Sequence, residues 1–200
     1  MTLRQTTKKI QHLVGVKEDG IWGPNTAAAV LNRLPDAVPL APGNDNVEFD
    51  VRTEGNLATC QPGAVAKFRP FLRRAFGIAS AMGVDAKVIC GYRDKIAQEK
   101  AKALGASRAG WGYSWHNYGI AIDLGLFDGG SYADWDNPQR AHRIYAAIGQ
   151  IAGEHGLEWG GDWTNIQDEP HFQVADVPVT PTASYREKLE RGDWEYQLIA

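Results

Sequence analysis

An aspartate stands in the middle of an apolar alternating run, Ile120, Ala121, Ile122, Asp123, Leu124, Gly125. No other feature of the sequence restricts the fold as strongly. Period-two alternation reads as a strand, with branched residues on one face and small residues around the carboxylate on the other. A carboxylate inside such a strand is costly to bury unless it is paired or holds a cation. The fold must therefore deliver partners to Asp123. Ala121 and Gly125 leave room beside it, and a group other than protein is expected there.

Two histidines are placed to be those partners. His116 lies in SWHNYGIAID, at the mouth of the Asp123 strand. In HFQV, read as a second short strand, alternation puts His171 and Gln173 on one face and Phe172 and Val174 on the other, so His171 can face Asp123 from a neighbouring strand. Two imidazoles and one carboxylate suit zinc, and three protein ligands leave the open fourth position of a catalytic site. The other reading of the same residues is Asp123 salt-bridged to Arg93, with both histidines packed in the core. His12, His142 and His155 sit on predicted helices with no second ligand at metal spacing and read as surface or helix-end residues.

A hydrolytic zinc also needs a base for its water and a positive group or donor for the developing oxyanion. Asp168 and Glu169 stand three and two residues before His171, and the intervening Pro170 stiffens an extended approach, so one carboxylate is expected in the site. Asp168 is favoured. Arg93, read as the end of the strand VICGYR, is a permanently charged fork able to grip a carboxylate or an oxyanion. The acidic run Asp128, Asp134, Asp136 fits no calcium-loop spacing and reads as a solvated turn.

Charge narrows the function classes. The 21 Lys and Arg against 24 Asp and Glu give a formal charge of -3, so no bulk positive field exists to hold nucleic acid or an anionic membrane. The N-terminal residues are basic, but no apolar run of about 7 to 15 residues follows as in a signal peptide. No stretch reaches the roughly 18 apolar residues of a membrane span. Synthesis in the cytoplasm is expected, with release by other means if the chain acts outside. Cys60 and Cys90 are too few for a disulfide scaffold and read as free thiols rather than a bridge.

The organisation read from breakers and periodicity is a helix, tight turn and helix over residues 1–34, a proline-rich linker over 35–54, a main domain over 55–176 and a tail with a short helix over 177–200. Within the main domain, Gly63 to Met82 reads as an amphipathic helix that Pro70 should kink or split. DAKVICGYR reads as a strand, DKIAQEKAKAL as a short helix, GASRAGWGYSWHNYG as a loop, residues 138–155 as a helix stopped by Gly156, and Thr182 to Arg191 as a surface helix. The class is α+β, a small antiparallel sheet with packed helices.

Together, SWHNYGIAID, GYRDKIAQ and WGGDWTNIQDEPHFQ resemble the signature set of the M15 peptidases, the zinc D-alanyl-D-alanine carboxypeptidase and L-alanyl-D-glutamate endopeptidase family. The pattern SxHxxGxAxD followed by (D/E)xPHF matches at every position, and the likeness covers approximately residues 55 to 175. The layout GGDW, a short gap and DEPHFQ is most similar to the branch with phage endolysins and bacterial L-alanyl-D-glutamate peptidases. The resemblance implies that His116, Asp123 and His171 bind one zinc ion and that Asp168 is general base and acid. It also implies that Arg93 stabilises the substrate or the tetrahedral intermediate, with Ser114 and Gln98 on supporting positions. Trp111, Trp115 and Trp163 surround these motifs as groove or core residues, and Trp163 is grouped with Arg93, Ser114 and Gln98 on the substrate side.

The implied substrate is the peptidoglycan stem peptide, cut first of all at L-Ala-D-Glu, with D-Ala-D-Ala carboxypeptidase as the alternative and a non-catalytic peptidoglycan-binding protein as the competitor from another class. A monomer acting on the cell wall is expected. The first 34 residues are similar to the second half of the common peptidoglycan-binding module, where DGxxGPxT joins two helices, although the chain has no room for that module's first helix.

Overall fold

The computed structural model describes residues 3–14, 16–19, 48–133 and 137–192. The chain falls in two compact units, Met1–Pro42 and Gly43–Ala200. In the first, helix α1 (Leu3–Val14) ends in a short return: Val16 N–H donates to the Gln11 carbonyl (3.1 Å) and Gln11 Nε2 to Asp19 (2.8 Å). The expected second helix over 27–34 and the proline-rich stretch up to residue 47 lie outside the described residues.

In the second unit, helix α2 (Val51–Leu57) is capped by Asp50, whose carboxylate accepts the Arg52 and Thr53 N–H groups. Helix α3 (Pro62–Ala81) begins on a proline, where the missing N–H has no helical partner to lose. Its inner stripe, Ala64, Phe68, Phe71, Leu72, Ala75 and Ala79, is fully buried. Pro70 does not split it as expected. Pro70 and Ala66, whose carbonyl loses its helical donor, are both exposed, so water can replace the missing bond.

Strand β1 (Asp85–Cys90), helix α4 (Lys95–Ala103), strands β2 (Ala121–Asp128) and β3 (Ser131–Tyr132), helix α5 (Pro138–Gly149), strands β4 (Leu157–Trp159) and β5 (His171–Val174) and helix α6 (Ala183–Glu190) follow. The sheet is antiparallel in the order β1-β2-β5-β4, with β3 paired to β2, as the α+β reading expects. Helix α3 packs on the sheet and α5 packs on α3. The ring centroids of Phe71 and Phe172 are 4.9 Å apart across that interface. Each such side chain fully removed from water stabilises the fold by about 1.5–3 kcal/mol. Ile120, Ile122, Leu124 and Leu126 are likewise fully buried.

Several boundaries differ from expectation. The Gly- and aromatic-rich loop contains a 3-10 turn, Trp115–Tyr118. Strand β1 ends at Cys90, so Arg93 stands three residues beyond it. Helix α5 stops at Gly149, and a 3-10 turn, Gly153–His155, carries the chain to Gly156 at φ +66°. Helix α6 is more than a surface helix: Leu189 is buried and the Tyr185 ring lies 5.0 Å from that of Trp115. Asp134 and Asp136 lie outside the described residues. Asp128 is ion-paired with Arg140.

Candidate metal centre

Register brings the site together. Between β1 and β2, Val88 faces Leu124 and Cys90 faces Asp123, so Ile89 forms a bulge. Between β2 and β5, Asp123 faces His171. Cys90, Asp123 and His171 therefore form one row across three strands. His116 reaches the same place from the 3-10 turn, whose first N–H groups Ser114 caps by accepting from His116 N (3.4 Å). Gly119, at φ +65°, ends that turn. Its carbonyl accepts from Gln61 N (2.9 Å), while Gln61 Nε2 donates to the Tyr118 carbonyl (2.7 Å). The turn is thus tied to the start of α3.

Three ligand-type atoms form a nearly equilateral triangle. His116 Nε2 lies 3.1 Å from Asp123 Oδ1 and 3.2 Å from His171 Nδ1, and His171 Nδ1 lies 3.2 Å from Asp123 Oδ1. A tetrahedrally held ion with bonds of about 2.0–2.1 Å sets neighbouring ligand atoms about 3.3–3.4 Å apart, so the triangle fits one small divalent ion. The hydrogen bonds behind the rings agree. His116 Nδ1 meets the Gly91 carbonyl at 2.8 Å and His171 Nε2 meets Gln173 Oε1 at 3.1 Å. Both oxygens only accept, so each neutral ring keeps its hydrogen on the outer nitrogen and turns a lone pair inward. Three acceptors converge on one point, which calls for a cation.

Charge acts in the same direction. Burial opposes a charged His116, but the charge and hydrogen bond of Asp123, helped by Cys90, outweigh it and push the imidazole up to about 10. Burial would raise Asp123, yet His116 and then His171 hold its carboxyl well below the usual range. The cluster attracts positive charge, whether proton or metal. Cys90, His116 and Asp123 also offer ligand atoms within 4.8 Å of one another. The Cys90 sulfur, however, approaches His116 at Nδ1 (3.7 Å), the nitrogen already engaged by Gly91. The triangle on Nε2 is the better cage.

Arg93 lies against the triangle. Its Nη2 donates to Asp123 Oδ2 and to the Cys90 sulfur, both at 3.2 Å, and its Nη1 to Gln98 Oε1 at 3.1 Å. The salt bridge to Arg93 and the two-histidine cluster, alternatives in the sequence, are both present. Gln98 is fully buried, and its Nε2 donates to Ser107 (3.0 Å) and the Ala109 carbonyl (2.8 Å). It holds Arg93 in place and is not open to a ligand. Asn117, also buried, donates to the Arg93 carbonyl at 2.9 Å and to Gln98 at 3.1 Å.

Asp168 sits on the exposed rim. His171 N–H donates to its carbonyl (3.1 Å) and its own N–H donates to the Gly160 carbonyl (3.0 Å). Although solvent reaches the residue, crowding on its inner side, followed by the charge of Asp123, raises its carboxyl above the ordinary value against the pull of His171, His116 and Arg93. Glu169 is turned away and pairs with His142. Trp163 is half-buried, its ring 5.1 Å from that of His171. Trp115 belongs to the core, its indole donating to the Pro178 carbonyl at 2.8 Å, and Trp111 packs partly buried against that core.

One expectation is corrected. The room beside Gly125 is filled by protein, since a Cβ there would fall 2.7 Å from Ile89 and 3.0 Å from Phe127 and Tyr132. Sequence reasoning also missed Cys90 as a neighbour of His116, and Glu158 and Gly91 altogether. Gly91 approaches the Asn56 carbonyl so closely that a Cβ would lie 2.4 Å from it, and this approach aims the Gly91 carbonyl at His116. Gln173 carried a usable signal, since alternation already set it beside His171.

Residues 107–174 match the family model described as D-alanyl-D-alanine carboxypeptidase, one of the M15 peptidases. The peptidoglycan L-alanyl-D-glutamate endopeptidase CwlK of Bacillus subtilis (strain 168) is 33% identical over a stretch covering 48% of this chain and 64% of that protein. The chain thus spans just under two thirds of the length of this relative. Among solved structures, the Serratia marcescens L-Ala D-Glu endopeptidase ChiX is 30% identical, with 64% of this chain and 90% of that chain covered and a TM-score of 0.47. The vancomycin resistance D,D-pentapeptidase VanY in complex with Zn(II) is 20% identical, with 62% and 76% covered and a TM-score of 0.37. The matched stretch holds Ser114, His116, Asp123, Asp168 and His171, and the chain carries a peptidase domain of the M15 family.

Proposed function

We propose that the chain is a zinc-dependent peptidase of the peptidoglycan stem peptide that hydrolyses the L-Ala-D-Glu bond. The observation that carries this reading is the triangle of three lone-pair atoms, 3.1–3.2 Å on a side, within a family-matched stretch. The names of the relatives CwlK and ChiX support the choice of bond. His116, Asp123 and His171 would hold the ion, which supplies Lewis-acid polarisation of the scissile carbonyl and an acidified water.

The chain's own groups do the rest. Asp168, its pKa raised, takes a proton from the attacking water as the water oxygen bonds to the carbonyl carbon, and then delivers it to the amine nitrogen as the C–N bond breaks. Arg93, fixed by Gln98 and Asn117, keeps a permanent positive charge beside the carbon under attack, where negative charge collects on the carbonyl oxygen. Trp163 forms an aromatic wall next to His171, and Ser114 sets the turn that carries His116. The site of action is the cell wall, reached as an endolysin-like protein without membrane insertion; no helix among the described residues is long and apolar enough to cross a membrane.

The matched family description favours a second reading, removal of the terminal D-Ala by a D,D-carboxypeptidase. Mass spectrometry of fragments released from purified peptidoglycan, with zinc supplied, separates the two. New N-terminal D-Glu peptides are expected; loss of a terminal D-Ala alone supports the second reading. Release of neither overturns both and leaves a wall-binding protein.

A further inference from the structure

The orientation of His171 is fixed from outside the triangle by a chain of side chains that ends on Trp163. We propose that Gln173 and Glu158 are positioning residues that lock His171 in the tautomer with its hydrogen on Nε2, so that Nδ1 is left to hold zinc. This inference rests on the zinc reading above.

The polarity of the chain is forced from its far end. Trp163 Nε1 can only donate, and it donates to Glu158 Oε1. The other carboxylate oxygen, Oε2, accepts from Gln173 Nε2 at 3.3 Å. The amide of Gln173 can satisfy that oxygen only with its NH2 group, which turns its Oε1 toward His171. That oxygen, 3.1 Å from His171 Nε2, needs a hydrogen, and Nε2 must carry it. Gln173 is 1% exposed, so water cannot stand in for the amide.

The sheet supplies the alignment. Glu158 faces Gln173 across β4 and β5, and Ala121 faces Gln173 across β2 and β5, its small side chain sparing the amide from crowding. The chain also closes on itself, because the ring of Trp163 packs beside the ring whose tautomer it helps to fix. His116 is oriented differently, by the main-chain carbonyl of Gly91, which no side-chain replacement removes. The side-chain route to His171 is therefore the adjustable half of the cage.

The test uses the full chain and Zn2+ alone. Zinc affinity is measured by competition with a chromophoric chelator for the wild-type chain, Gln173→Leu and Glu158→Gln, and imidazole 15N–1H correlation spectra of the zinc-loaded wild-type chain report which nitrogen of His171 bears hydrogen. Q173L is expected to bind zinc about 10–100-fold more weakly, E158Q to show a smaller loss, and the spectrum to show hydrogen on Nε2. If Q173L does not fold, the equal-volume E158Q and the wild-type spectrum still decide. Unchanged zinc affinity in the folded variants, or hydrogen on Nδ1 of His171, overturns the proposal and leaves the zinc reading standing. A wild-type chain that binds no zinc overturns both.

Discussion

Gly160 and Asp168 are packed so closely that a Cβ on Gly160 would lie 2.5 Å from the Asp168 carbonyl oxygen and 3.3 Å from the Asp168 Cβ. Asp168 N–H also donates to the Gly160 carbonyl at 3.0 Å. Gly160 is therefore a seat for the carboxylate-bearing turn. Trp159 holds the next residue, its indole donating to the Glu169 carbonyl at 2.7 Å.

Gly160→Ala must push that turn outward, because the atom in the way is main chain and cannot rotate aside. Overpacking of this kind costs about 1–3 kcal/mol. The expected variant folds with a lowered Tm and its kcat falls at least tenfold as Asp168 loses its station, while its zinc affinity falls less, because the new methyl would lie 3.1 Å from the His171 Cβ, a contact that a small shift relieves. Metal analysis beside steady-state kinetics checks this. Wild-type kcat in G160A would show that the seat does not position Asp168.

Asp168→Ala separates base from ligand. General acid–base groups contribute about 10²–10⁴ in rate, so hydrolysis of stem peptide should fall by that factor while zinc content stays at the wild-type level. Loss of zinc together with activity would reassign Asp168 as a ligand.

The same geometry explains what could be read before any coordinates. Convergence of His116, Asp123 and His171 follows from two short alternating strands, because period two commits a side chain to a face and a costly buried Asp123 demands partners on that face. Cys90 was illegible because the bulge at Ile89 shifts the register by one residue and sets Cys90 opposite Asp123, and no residue of VICGYR signals a bulge. Glu158 lies in a three-residue strand, too short for periodicity to register. That the helix runs through Pro70 unsplit has another reason: the cost of a proline depends on whether water reaches the orphaned carbonyl, which is a property of the packed surface.

Proton and metal compete for the same lone pairs, and stability should show it. In the metal-free chain His116 is raised from 6.5 to about 10, so its contribution is fully present below 6.5 and is lost as pH climbs through 10. Asp123, held below its ordinary 3.8, contributes above that value and loses its share as pH falls well below it. The Tm of the chelator-treated chain should therefore decline between pH 6.5 and pH 10. With saturating zinc the ion replaces the proton and the decline over that interval should shrink. Thermal unfolding with and without chelator checks both arms; a metal-free Tm that is flat or rising there contradicts the coupling.

The two thiols should differ in reactivity, with and without zinc. Cys60 is buried, and loss of hydration pushes it up to about 12, so it should resist alkylation near neutral pH under either condition. Cys90 is only partly buried. Burial raises its pKa too, but in the metal-free chain the hydrogen bond and charge of the protonated His116 outweigh that and lower it. His116 Nδ1 stays engaged with the Gly91 carbonyl in both states, so what changes at the Cys90 sulfur is charge, and a divalent ion on Nε2 in place of the proton adds to it. Iodoacetamide should then modify Cys90 and leave Cys60 unmodified in the metal-free chain, and modify Cys90 no more slowly with zinc bound, as read by peptide mass spectrometry. A Cys90 rate that falls on zinc binding would contradict this charge coupling.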